Sequence, residues 1–162
     1  MSKGKLYFTV GLPRSGKSTY CNNFVRIYDK VAVAKPRTIV CQDDIRIALG
    51  TVYNRWLEPL VYSTAQTMTR SLLHRGFDVI IDETNTSLFS LVRIFDIDNQ
   101  AAPVVFRTSQ TVCEQRARDS DRDYLLPVIA RLAPQLDRLL TYGIERIHKE
   151  YLDGTIHNRF GV

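Results

Sequence analysis

The segment Gly11-Leu12-Pro13-Arg14-Ser15-Gly16-Lys17-Ser18 sets two glycines, a lysine and a hydroxyl at the spacing G-x-x-x-x-G-K-S, with Thr19 directly behind. A phosphate cradle needs these residue types. Gly11 and Gly16 let the backbone turn its amide N–H groups inward around an anion, where side chains would obstruct the approach. Lys17 offers a point charge to β- and γ-phosphates, and the Ser18 hydroxyl completes a Mg²⁺ shell. A helix opening near Lys17 adds unpaired amides and its positive end. The pattern lies between the apolar run Leu6–Val10 and an amphipathic stretch, the strand–loop–helix context that such a loop requires. ATP binding is therefore expected through Gly11, Pro13, Arg14, Ser15, Gly16, Lys17, Ser18 and Thr19.

Two further clusters could carry the acceptor side. One is Gln42-Asp43-Asp44-Ile45-Arg46, directly after the strand-like Arg37–Cys41. In a parallel sheet the strand ends share one crevice, so Asp43 would face the γ-phosphate and could take the proton of an attacking hydroxyl. Asp44 suits the N-cap of the next helix, and Arg46 could hold an acceptor phosphate. The other is Asp82-Glu83-Thr84-Asn85, closing the apolar run that begins near Phe77. Asp82 would point toward Mg²⁺ or the acceptor, while Thr84 and Asn85 would hydrogen-bond the acceptor or order the loop. Helix capping is the competing structural explanation for both clusters.

The elements that must position these groups follow from alternating apolar runs and helical periods, the signature of stacked βαβ units. Strands are expected at Leu6–Val10, Arg37–Cys41, Phe77–Asp82 and Pro103–Arg107. Helices are expected at about Lys17–Ile27, Asp44–Leu49, Glu58–His74, Ser87–Phe95, from near Ser109, and over Pro127–Tyr142. Tyr28–Pro36 reads as a loop, and no element is assigned to Ile144–Val162. The expected fold is α/β, a parallel P-loop NTPase-type sheet of about four to five strands flanked by helices. Without a linker or repeat, residues 1–162 form one domain.

Composition narrows the class. The chain is 44% hydrophobic and 24% charged, ordinary for a globular domain, and no apolar run reaches the roughly 18 residues of a membrane span. The N-terminus runs into the first strand with no cleavage-site pattern. Cys21, Cys41 and Cys113 lack metal-site spacing and read as reduced, small apolar residues, which suits the cytoplasm. His74, His148 and His157 show no metal spacing either. The net charge of +5 is concentrated in residues 1–50, with nine Lys or Arg against three Asp. That basic third suits a polyanion or simply a nucleotide pocket.

Together the three motifs resemble the polynucleotide kinase branch of the P-loop kinases, with a G-x-P-x-S-G-K-S-T loop, an R/Q-D-D-x-R element and an apolar strand ending in D-x-T-N. The resemblance spans about residues 5–140. It implies that Asp43 is the general base, that Arg46 and Asp82 organise the acceptor site, and that Lys17 and Ser18 serve ATP-Mg²⁺. It also implies a small arginine-bearing lid after the fourth strand, here about residues 114–126, where Arg116, Arg118 and Arg122 stand. Arg122 is the preferred catalytic lid arginine and Arg118 a nucleotide contact, although capping and surface ion pairs would also explain this charged run. Arg14 departs from relatives that often carry a small residue there.

The expected activity is transfer of the γ-phosphoryl group of ATP to a nucleic-acid hydroxyl, foremost a 5′-OH end of DNA or RNA. The alternatives are a hydroxymethylated base in DNA, a small molecule such as a nucleoside, sugar or antibiotic, and a non-enzymatic ATP-dependent switch. A switch needs no acceptor base, so Asp43 and Arg46 favour the enzyme. Tyr53 and Trp56 could stack on exposed bases or be ordinary core or rim aromatics.

Overall fold

The structure, a computed structural model, describes residues 3–26 and 35–156. Residues 28–34 of the loop expected at Tyr28–Pro36, and His157, lie outside the described residues. Four parallel strands form one sheet: β1 Leu6–Val10, β2 Arg37–Val40, β3 Asp78–Ile81 and β4 Ala102–Val105, in the order β2-β3-β1-β4. The register pairs Phe8 with Ile81 and with Pro103. Pro103 has no N–H to donate, and β4 is an edge strand, where that loss is tolerated.

Helices cover both faces: α1 Lys17–Arg26, α2 Gln42–Ala48, α3 Glu58–His74, α4 Leu88–Phe95, α5 Gln110–Arg118, α6 Leu126–Tyr142 and α7 Ile144–Leu152. A 3₁₀ turn, Asp123–Leu125, joins α5 to α6. Because side chains alternate across a strand, β1 and β3 feed two different cores. Phe8, Val79 and Ile81 join Leu73, Leu91, Phe95 and Ile129 from the helices on one face. Ile80 packs on the other face with Cys21 and Phe24 of α1, backed by Tyr7 and Ile39. The central strands β1 and β3 are thus buried on both sides, which is why each reads as a largely apolar run.

Local chemistry sets several boundaries. Ser87 opens α4 with a capping box to Ser90, and Ser109 caps α5 by accepting from the Val112 amide. Pro59 stands in the first turn of α3. Gly143 ends α6 at φ 95° and turns the chain directly into α7. That helix has no counterpart in the sequence expectation; Ile144 and Ile147 bury its apolar edge.

One expectation fails. The helix after β2 starts at Gln42 with Cys41 in the N-cap position, so Asp44 is not the cap. Asp43 and Asp44 instead lie in the first turn of α2, where carboxylates complement the helix dipole.

Candidate active site

β1 lies between β3 and β4, and the chain from β1 crosses to β2 on one side while β4 flanks the other. This is the point where strand order switches, so a crevice opens at the carboxyl ends there. The loop 11–18 leaves β1 at that crevice. Asp82 leaves the adjacent strand β3, and the Asp43 segment leaves β2, roughly 10 Å from β1 at two strand spacings.

The loop is tightly held. A Cβ on Gly11 would come within 2.9 Å of Phe106 Cβ and 3.0 Å of Ser15 Oγ, so only glycine fits. Gly16 has φ 105° and Arg14 φ 67°, so the Arg14 side chain sits on a left-handed backbone position that few residues accept. The Ser15 hydroxyl and Arg14 Nε are buried without a hydrogen-bond partner. Buried polar atoms are normally satisfied, and unpartnered ones converging on this loop fit a cradle whose missing partner is an anion. Ser18 and Thr19 are exposed at the start of α1.

Lys17 is more deeply placed than a surface phosphate ligand would be. It is only 7% exposed, and its Nζ donates to the Leu12 carbonyl at 2.6 Å. Burial pushes its pKa below the ordinary lysine value, while the Asp82 carboxylate and, more weakly, Asp43 pull it back up. Those two carboxylates therefore lie within electrostatic reach of the ammonium.

Thr9, fully buried in β1, stitches the second motif to the loop. Its Oγ1 donates toward the Glu83 carbonyl at 2.7 Å and accepts from the Glu83 amide at 3.0 Å. The Asn85 side-chain amide donates to the Thr9 carbonyl at 2.9 Å, and the Gly11 amide donates to the Thr84 carbonyl at 2.9 Å. Asn85 and Thr84 thus order the strand ends. Thr9 was not singled out from sequence, although one polar residue inside an apolar strand is a readable signal.

On α2, Arg46 donates to Asp43 Oδ1 at 2.6 Å and holds Glu58 of α3 at 2.9 and 2.7 Å. The Glu58 hydrogen bonds raise the arginine pKa further and lower that of Glu58. The Asp43 side chain is 81% exposed. Glu58 had no signal in the sequence, because nothing local announces a partner on the next helix.

The three arginines of the expected lid, residues 114–126, lie apart in role. Arg116 reaches the phosphate loop, its Nη1 donating to the Arg14 carbonyl at 3.1 Å across 102 residues. Arg118 forms a loose helical pair with Glu114 at 3.8 Å. Arg122 is exposed at the start of the 3₁₀ turn. Tyr53 and Trp56 are 70% and 82% exposed, which removes the core reading for both. Burial raises Cys21 to about 12 and Cys41 to about 11, so these thiols stay protonated near neutral pH. No group of three or more His, Cys, Asp or Glu suited to a metal occurs among the described residues. No helix among them is long and apolar enough to cross a membrane.

Residues 6–135 match the family described as AAA domain, and the chain belongs to that family. No curated protein matches the chain. Among solved structures, a chain of the Pnkp1/Rnl/Hen1 RNA repair complex aligns with a TM-score of 0.73 at 24% identity, over 90% of this chain and 47% of that one. A second Pnkp1/Rnl/Hen1 complex gives 0.61 at 26% identity, over 72% and 40%. The APS kinase CysC of Mycobacterium tuberculosis, solved with AMPPNP and APS, gives 0.60 at 15% identity, over 72% and 70%. The chain spans less than half the length of the two repair-complex chains it matches. The fold is that of a P-loop kinase, and the resemblance to the polynucleotide kinase branch is borne out as a likeness of fold.

Proposed function

We propose that this AAA-domain chain is an ATP-dependent kinase that phosphorylates a nucleic-acid hydroxyl, foremost a 5′-OH end. The observation that carries the reading is the Asp43–Arg46 pair on α2, the helix that follows β2 in the same parallel sheet as the phosphate loop, with the Asp43 side chain 81% exposed. A nucleotide switch has no use for an exposed acid pinned beside an arginine at that edge.

In this mechanism the loop amides, Lys17 and Ser15 bind the triphosphate, with Arg14 beside them. The orphaned Ser15 hydroxyl and Arg14 Nε fit such an anion. Ser18 and Asp82 would hold Mg²⁺, which when bound neutralises charge on the β- and γ-phosphates. Asp43 takes the proton of the acceptor hydroxyl as its oxygen bonds to the γ-phosphorus. The bond from that phosphorus to the β–γ bridging oxygen breaks, and ADP leaves. Arg46 orients Asp43 and the acceptor phosphate, and Arg122 with Arg118 closes over the transferring group. Arg116 touches the loop backbone and ties α5 to it.

The likeness to chains of an RNA repair complex supports a nucleic-acid acceptor by analogy of fold. A second reading, a small nucleoside-like acceptor, is favoured by the cavity between α3 and α4. Label transfer from γ-labelled ATP to 5′-hydroxyl oligonucleotides, with nucleosides and sugars in parallel, decides between them. Labelling of oligonucleotides is the expected result. Labelling of small alcohols alone moves the substrate class to the second reading.

A further inference from the structure

A cavity of about 430 Å³ opens between α3 and α4 over the ends of β2 and β3. That volume falls at the low end of the roughly 300–1,000 Å³ typical of small-ligand sites. Its floor is apolar, built from Val40 and Ile81 of the two strands and Ala65 and Ile94 of the two helices. One wall is a stack of flat groups. The Arg93 guanidinium lies 3.0 Å from the centre of the Tyr62 ring and 4.8 Å from that of Phe89. Phe89 is 54% exposed, so an aromatic face remains uncovered at the cavity.

The strand-end rim is polar, carrying Gln42, Glu83 and Asn85. The Gln42 side-chain amide can donate and accept, and the Glu83 carboxyl offers two oxygens, so the rim presents both hydrogen-bonding senses.

A slot with an apolar floor, stacked planar groups and an amide–carboxyl edge matches a nucleobase, which is flat, stackable and edged with donors and acceptors. A sugar alcohol would leave the floor and the rings unused. A lipid chain would leave the rim carboxyl and amides without partners, at a cost. The position is apt. Gln42 adjoins Asp43 in the chain, and Glu58, also lining the cavity, binds Arg46. A base held here keeps its sugar near the cleft edge where Asp43 stands.

We propose that this cavity binds a nucleobase of the acceptor, stacked on the Phe89–Arg93–Tyr62 wall and read at its edge by Glu83 and Gln42. The inference deepens the kinase reading and rests on it for the identity of the ligand as acceptor. The base belongs either to the end of a nucleic acid or to a free nucleoside.

The test measures equilibrium binding without turnover, by titration calorimetry on the full chain. The probes are the four nucleosides, 5′-hydroxyl trinucleotides, and a trinucleotide whose first residue is abasic. The variants are Phe89→Ala, which removes little packing at an exposed position, and Glu83→Gln, which keeps the shape but replaces an acceptor oxygen by an amide donor. ATP affinity and thermal melts report on folding. Base-bearing probes should bind, and removing the base or the Phe89 ring should weaken binding roughly five- to a hundredfold. Glu83→Gln should reorder preference among the four bases while ATP affinity holds. Nucleosides binding as tightly as trinucleotides would identify a free nucleoside as the source; much tighter trinucleotides would identify a nucleic-acid end. Equal affinity for abasic and base-bearing trinucleotides overturns the site, as does the absence of binding by every probe. Base-dependent binding with no acceptor labelled leaves the site standing and defeats the kinase reading. Equal labelling of abasic and base-bearing ends defeats the site alone.

Discussion

Arg46 holds both carboxylate oxygens of Glu58, through Nε at 2.9 Å and Nη2 at 2.7 Å, while its remaining nitrogen reaches Asp43. This bidentate pair ties the short helix α2 to the start of α3 and fixes the arginine's plane. The guanidinium side chain is 16% exposed and Glu58 26%, so the pair lies between a surface bridge and a buried one. Glu58→Gln should therefore destabilise the chain by about 1–2 kcal/mol in urea melts and lower kcat by loosening Asp43. An unchanged denaturation midpoint would remove the clamp from the account.

Asp43→Asn keeps size and hydrogen-bonding shape but takes no proton, so kcat should fall on the order of 10²–10⁴-fold with ATP affinity nearly unchanged. Asp44→Asn should stay within a few-fold, because Asp44 only complements the first turn of α2. With an oligonucleotide acceptor, Arg46→Ala should raise KM, and rising salt should weaken binding as counterions are released. Steady-state kinetics of the three variants check this, and an Asp43→Asn enzyme at full speed removes the general base.

Lys17→Ala should abolish transfer and the rise in Tm that ATP produces. The free protein should be no less heat-stable than wild type, since Lys17 is a desolvated cation whose main partner is a loop carbonyl. Melting curves with and without nucleotide separate the two effects. Wild-type turnover in the variant would sink the phosphate-loop assignment.

Among the arginines of the proposed lid, Arg122→Ala should lower kcat more than it weakens acceptor binding, because its partner charge would develop in the transition state. Arg116→Ala should instead raise the KM for ATP, since Arg116 braces the loop backbone. If Arg122→Ala matches wild type while Arg116→Ala or Arg118→Ala loses kcat, the catalytic arginine is one of those two. If all three are silent, there is no arginine lid.

Glu83 makes stability depend on pH. Its folded carboxyl titrates near 7 against an ordinary 4.5, so the folded chain keeps a proton that the unfolded chain releases. Its contribution is full below about 4.5 and is lost as pH rises to about 7. The Tm of Glu83→Gln minus that of wild type should thus climb between those values and level off above. A flat difference across that window would show that the carboxyl is not held protonated.

The sequence by itself determined the phosphate loop, the strand–helix alternation and most element positions. Those features are local: glycine spacing dictates backbone angles, and burial on both faces makes the central strands β1 and β3 largely apolar runs. The bounds Glu58–His74 of α3 are legible for the same reason. What only the tertiary structure decided are meetings between distant parts of the chain. Arg116 reaches Arg14 across 102 residues, Glu58 of α3 clamps Arg46 of α2, and Thr9 joins β1 to the Asp82 turn. The sheet order β2-β3-β1-β4 brings those strand ends to one rim, and helix packing sets Tyr62 beside Arg93 over the cavity. Residue types and short spacings encode backbone geometry, but which side chains converge depends on how the crossovers pack.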